Sequence, residues 1–189
     1  MDINALKGRI AEALVEGVFR RAGYQVALVG RESRVQHLLK IGPVEFLPDF
    51  LVWKQMAETD ATGTLHRLVA VEVKYRGDVE KSLQREAARF LRGVQQWHDL
   101  YFIFVTDHPD SSRSCFQAVD VRQCTPGAPW VSMDLHEVGD LDIYWKTVEE
   151  YERLVRLIFP ILSAPPRADV PARRLEAKPA GGMASVRGG

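Results

Sequence analysis

Apolar positions recur at helical spacing over residues 6–22, where Ala11, Leu14, Val15, Val18, Phe19 and Ala22 share one wide arc. The spacing predicts a helix closed by Gly23 in a left-handed cap, with a strand over Tyr24–Val29 after the turn. Residues 31–43 are mixed and polar and end in the breaker pair Gly42-Pro43. Val44 to Trp53 reads as a second extended segment, interrupted by Pro48. Residues 55–66 read as a polar loop. Leu68 to Val73 reads as a third strand, aliphatic almost throughout, as expected where both faces are covered.

Residues 79–98 predict a second helix that buries Leu83, Ala87, Phe90, Leu91 and Val94. Strands follow at Leu100–Val105 and Cys115–Val121. Residues 125–143 give no clear element, with turns at Pro126-Gly127 and Gly139. A last amphipathic helix spans 145–159 through Val148, Tyr151, Leu154, Val155 and Ile158. The opening order of helix, three strands, helix and strand predicts an α/β fold, a mixed central sheet flanked by helices. Residues 1–163 read as a single domain. Residues 164–189 contain almost no large apolar side chain and read as a disordered tail.

Composition narrows the class. At 189 residues, 46% hydrophobic and 26% charged, the chain has the length and balance of one globular α/β domain. No apolar run approaches the roughly 20 residues of a membrane span. Nor does the N-terminus resemble a secretory signal, so the expected location is cytoplasmic. Cys115 and Cys124 read as buried thiols, not as a disulfide framework or zinc site. The net charge of zero conceals an asymmetry. Residues 1–98 hold 15 Lys+Arg against 12 Asp+Glu, and residues 99–163 hold 5 against 11. The basic surplus in the first half is where a polyanion partner is expected.

Chemistry concentrates in Glu12, Pro48-Asp49 and Glu72-Val73-Lys74. On a strand, Glu72 and Lys74 project to one face about 7 Å apart. A buried ion costs several kcal/mol unless paired or bound to a metal, so so apolar a strand is a poor place for them on stability grounds. Pro48 removes a backbone donor, which suits a bend or a strand edge. If the two extended segments pair, Asp49 and Glu72 lie side by side. A hard divalent cation with oxygen ligands, such as Mg²⁺, then relieves their repulsion.

This set, in this order, resembles the PD-(D/E)XK, or restriction-endonuclease-like, nuclease superfamily, whose αβββαβ core has the element order read above. The stretch Lys7-Gly8-Arg9-Ile10-Ala11-Glu12, with the following apolar helix and Gly23-Tyr24, is similar to the start of archaeal-type Holliday junction resolvases. The resemblance covers roughly residues 6–106. The segment before Asp49 is longer than in those resolvases and carries Arg31, Arg34, His37 and Lys40. The resemblance implies a Mg²⁺- or Mn²⁺-dependent deoxyribonuclease. Asp49, Glu72 and the Val73 carbonyl would bind the metal, and Glu12 would complete the set directly or through water. Lys74 would position or activate the attacking water and stabilise the phosphate. Glu16 is the rival to Glu12, but it lies further round the helix, towards Arg9 and Arg20.

The expected partner is DNA. Lys7, Arg9, Arg76, Lys81, Arg85, Arg89, Gln95 and Gln96 are the candidate contacts, and Arg85, Arg89, Arg92 and Gln96 share one helical face. The alternative for that face is an ordinary solvated surface. A homodimer is a further expectation, since two symmetric cuts need two sites, as is a protein partner through residues 99–163. The alternative function is a catalytically weak DNA-binding or scaffold protein on the same fold. Trp53, Trp97, Trp130 and Trp145 read as core or lid. His66, His98, His108 and His136 show no metal-ligand spacing. Ser111-Ser112 has no triad partners.

Overall fold

The computed structural model describes residues 2–29, 46–60, 63–94, 97–125 and 128–164, with backbone alone over 56–65 and 87–94. Helix α1 (Ile3–Arg21) starts at Asp2, whose carboxylate accepts the Asn4 N–H at 2.9 Å. At its other end Gly23 adopts φ +88°. The N–H groups of Gly23 and Tyr24 bond back to Arg20 and Phe19 at 3.1 and 3.0 Å, the double closure that a left-handed residue allows.

Six strands form one sheet in chain order: β1 (Gln25–Leu28), β2 (Phe50–Asp60), β3 (Gly63–Tyr75), β4 (Leu100–Val105), β5 (Phe116–Asp120) and β6 (Met133–Asp134). All neighbours are antiparallel except β3 and β4. A parallel pair needs a crossover, and helix α2 (Val79–Val94) supplies it. Helix α3 (Trp145–Ser163) follows two 3-10 turns. The chain is therefore α/β, a six-stranded mixed sheet flanked by helices. One sheet face buries Val71, Val73, Tyr101 and Ile103 with Val15 and Phe19 of α1 and Phe159 of α3. The other buries Ala70, Phe102 and Phe104 with Val79 and Leu83 of α2. All six β4 residues are buried, which is why Leu100–Val105 shows no polar alternation.

Several boundaries differ from the pattern-based reading. Residues 55–66 are not a loop. They form the far part of the β2–β3 hairpin, pairing Gln55 with His66, and Thr59 with Thr64 after a bulge. This arm runs past the β1 and β4 ladders, which reach only Trp53 and Ala70. Its sequence carries no apolar alternation for the eye to find. In the other direction, β2 begins at Phe50 instead of Val44. Helix α2 stops at Val94, and residues 97–98 lie outside it. Helix α3 continues to Ser163, with Pro160 in its final turn. The unassigned 125–143 stretch contains β6 and the 3-10 turns Leu135–Glu137 and Gly139–Leu141, the second closed by Asp142 at φ +45°. Arg31, Arg34, His37, Lys40, Gln95, Gln96, the Pro126-Gly127 turn and the tail from residue 165 lie outside the described residues. So do the side chains of Ala87, Arg89, Phe90, Leu91, Arg92 and Val94. Among the described residues no helix is long and apolar enough to cross a membrane.

Candidate active site

The β2–β3 register sets the site. Phe50 pairs with Val71, so one step further Asp49 faces Glu72. A continued ladder would set residue 48 against Val73, but Pro48 has no N–H to give. Asp49 takes over half of that missing pair, its Oδ2 accepting the Val73 N–H at 2.7 Å. On the other side its carbonyl accepts the Val29 N–H at 3.0 Å, beside β1. Strand β3 runs on to Tyr75 paired with β4 alone. Among the described residues, no strand pairs its edge beyond Glu72 on the β2 side. The Val73 carbonyl faces that side, because the N–H and C=O of one strand residue point the same way.

Glu72 is only 6% exposed. Its Oε1 accepts a short hydrogen bond from the Lys74 ammonium, and its buried Oε2 meets no donor among the described residues. Burial pushes the Glu72 carboxyl up to about 7, and the neighbouring Asp49 charge adds to this against the pull of Lys74. Asp49 is raised as well, first by burial, while the Val73 N–H and Lys74 oppose the rise. Glu12 is half-buried and is also raised, by burial first and then by Asp49, with Lys74 and Arg9 acting oppositely. Asp49 thus acts on both Glu12 and Glu72, and Lys74 acts on all three carboxyls.

Of these, Glu12 and Lys74 line a cleft of about 590 Å³ between the N-terminal half of α1 and the end of β3, while Asp49 and Glu72 do not belong to its lining. Asn4, Gly8 and Glu12, four residues apart on one helix face, line one wall, with Arg9 beside them. Val73 to Gly77 line the other. A Cβ on Gly8 or Gly77 would touch nothing within 4 Å. Asn4 and Gly8 were missed in the sequence, although their spacing from Glu12 could have shown them.

The proposed DNA contacts divide. Arg9 is exposed on the cleft. Arg76 also lines it, but its guanidinium is held by both Glu86 oxygens at 2.9 and 2.8 Å. Lys81 pairs with Asp78 at 2.9 Å on the surface. Arg85 is exposed and bonds the Lys81 carbonyl at 3.2 Å. Glu16 pairs with Arg20 at 2.8 Å and takes no part in the cleft lining. Lys7 is corrected: it is 5% exposed and bonded inward to Tyr75 and Asp107, so its charge is not offered to a polyanion. Its spacing of four and seven residues from Ala11 and Leu14 already put it on the buried stripe of α1.

His136 is a second correction. Among the described residues, Asp134, His136 and Glu137 form the one group of three such side chains whose ligand atoms all lie within 4.8 Å of one another. The 3-10 turn after β6 brings them together, which linear spacing does not reveal. Both Asp134 oxygens are already used, by Arg113 at 2.8 Å and by the Ser114 N–H at 3.1 Å. Glu12, Asp49 and Glu72 do not meet that distance as a trio. No protein-family model, curated protein or solved structure matches the chain.

Proposed function

We propose that this chain is a Mg²⁺- or Mn²⁺-dependent DNA endonuclease of the PD-(D/E)XK type. The observation that carries the reading is the buried Glu72 carboxyl beside the half-buried Asp49, its Oε2 lacking a donor among the described residues while Lys74 holds Oε1. Two neighbouring carboxyls with raised proton affinity suit a hard cation, whose two positive charges relieve their repulsion. The helix, three strands, helix and strand that open the chain match the superfamily's core order. DNA as substrate rests on that likeness.

Asp49, Glu72 and the Val73 carbonyl are the groups to hold the ion, and Glu12 completes the set directly or through water. A bound divalent cation supplies an acidified water and a positive charge near the scissile phosphate. Lys74 contributes a compact ammonium for the phosphate oxygens on which charge accumulates. Arg9, exposed on the cleft wall, steers the backbone of the substrate.

The test is a cleavage panel of plasmid, linear, single-stranded and four-way-junction DNA with Mn²⁺ or with chelator. Cleavage that vanishes in Lys74→Ala and Glu72→Gln, both still folded, is the expected outcome. A folded wild-type protein that cuts none of these substrates overturns the reading. DNA binding indifferent to chelator and to Lys74→Ala would favour the scaffold alternative.

A further inference from the structure

We propose that Lys7, Tyr75 and Asp107 are positioning residues, a buried polar triangle that sets the separation of the two cleft walls; the inference rests on the nuclease reading above. Lys7 Nζ donates to Tyr75 Oη at 2.7 Å and to Asp107 Oδ2 at 3.0 Å. Tyr75 Oη in turn donates to Asp107 Oδ1 at 2.8 Å. The side chains of Lys7 and Asp107 are 7% and 2% exposed. Lys7 Nζ also lies 4.7 Å from the Tyr75 ring centre. The corners come from α1, from the last residue of β3 and from the loop just after β4.

Net stability is a poor reason for such a group. A buried ion pair roughly breaks even with apolar side chains of the same size, because desolvation offsets the attraction. What the triangle adds is direction, since three closed hydrogen bonds admit one arrangement of their elements. Its place supplies the use. Lys7 precedes Gly8 on the helical wall that carries Glu12, and Tyr75 follows Lys74 on the strand wall. Glu12 lines the cleft from α1 and Lys74 from β3, so the fixed spacing of the walls decides how Glu12 stands to the strand-borne part of the site. A displacement of about 1 Å at such a site is enough to cost two orders of magnitude in rate.

The experiment uses the full chain carrying Lys7→Met with Asp107→Leu, which removes both charges together, and separately Tyr75→Phe. Three quantities are read: melting temperature, Mn²⁺ affinity by calorimetry, and kcat and KM for cleavage of the best substrate in the panel. The double variant is expected to melt at or above the wild-type temperature. Its kcat falls and its Mn²⁺ Kd rises, each by about ten- to a hundredfold, while KM for DNA changes little. Tyr75→Phe gives a smaller loss in the same direction. A double variant that binds Mn²⁺ and cleaves like wild type, or loses activity only as it unfolds, makes the triangle scaffold and overturns the inference. If the double variant does not fold, Tyr75→Phe decides, and an unchanged kcat overturns it. A wild-type protein that never cleaves sinks the nuclease reading and this inference with it. A cleaving wild type with indifferent variants sinks the inference alone.

Discussion

Glu72→Gln separates the cost of the site from the stability of the fold. Glu72 is 6% exposed, and its carboxyl is pushed from 4.5 up to about 7, by burial first and by the Asp49 charge second. The folded protein therefore holds this proton more tightly than the unfolded chain does. Below about pH 4.5 both states carry the proton and Glu72 costs nothing. Between about pH 4.5 and 7 the unfolded state releases it first, and stability falls; above about pH 7 the full penalty remains. The rise from 4.5 to about 7 amounts to roughly 3 kcal/mol. Gln keeps the shape and an acceptor for Lys74 but never ionises. Without divalent ions, the variant is expected to gain about 3 kcal/mol over wild type at pH 8, or about 6–12 °C in melting temperature for a domain of this size. The gain should shrink towards zero near pH 4.5. Mn²⁺ at pH 8 should raise the wild-type melting point and leave the variant nearly unmoved, because stabilisation by a ligand follows its affinity for the folded state. Thermal melts at several pH values, in EDTA and in Mn²⁺, read all of this. A wild-type–variant difference that stays flat with pH, or a variant less stable than wild type at pH 8, would refute the premise that Glu72 is held strained in the absence of an ion.

Further outcomes follow from the packing. Gly8→Leu is expected to stabilise α1 by about 0.5–1 kcal/mol in urea melts through helix propensity, since a Cβ there meets nothing within 4 Å, yet to abolish cleavage by filling the cleft. Gly17→Ala should instead destabilise by about 1–2 kcal/mol despite the same propensity gain, because its Cβ would lie 2.5 Å from Tyr151 Cε1; equal melting curves for Gly8→Ala and Gly17→Ala would contradict this. Arg9→Ala should weaken binding of all DNA sequences alike and lower the salt slope by about one, as measured by titrations between 50 and 200 mM salt. Arg122→Met should cost about 1–3 kcal/mol by stranding the buried Asp120, with cleavage unaffected where the protein remains folded.

What could be read from the chain was what depends on local spacing. The apolar arc of α1, the Gly23 stop and the β4 run all follow from periodicity and turn chemistry. The β2–β3 arm escaped because its sequence carries no apolar alternation to mark it. Lys7 escaped for the opposite reason. A lysine is read as solvated by default, and only Asp107, a hundred residues away in sequence, makes its burial tolerable. His136 needed the 3-10 turn, whose geometry leaves no pattern in the sequence.

The charge asymmetry takes on a different sense once it is placed in space. Residues 99–163 carry the acidic surplus, which set beside a DNA-cutting site reads as a repulsive neighbour. Yet Asp99, Asp120 and Asp140 gather around Arg122, with Arg67 also bonded to Asp140. That network lies at the end of the sheet where β3 pairs Arg67 with Lys54 and where β4 begins, whereas Glu72 and Lys74 stand near the close of β3. Asp99, Asp120 and Asp140 are thus neutralised within the fold at the far end of the strands, and Asp107, at the near end, is taken up by Lys7 and Tyr75. The lining of the cleft holds the exposed Arg9 and no carboxylate from residues 99–163, so a polyanion entering it meets there none of the acidic groups that the sequence count assigns to this half.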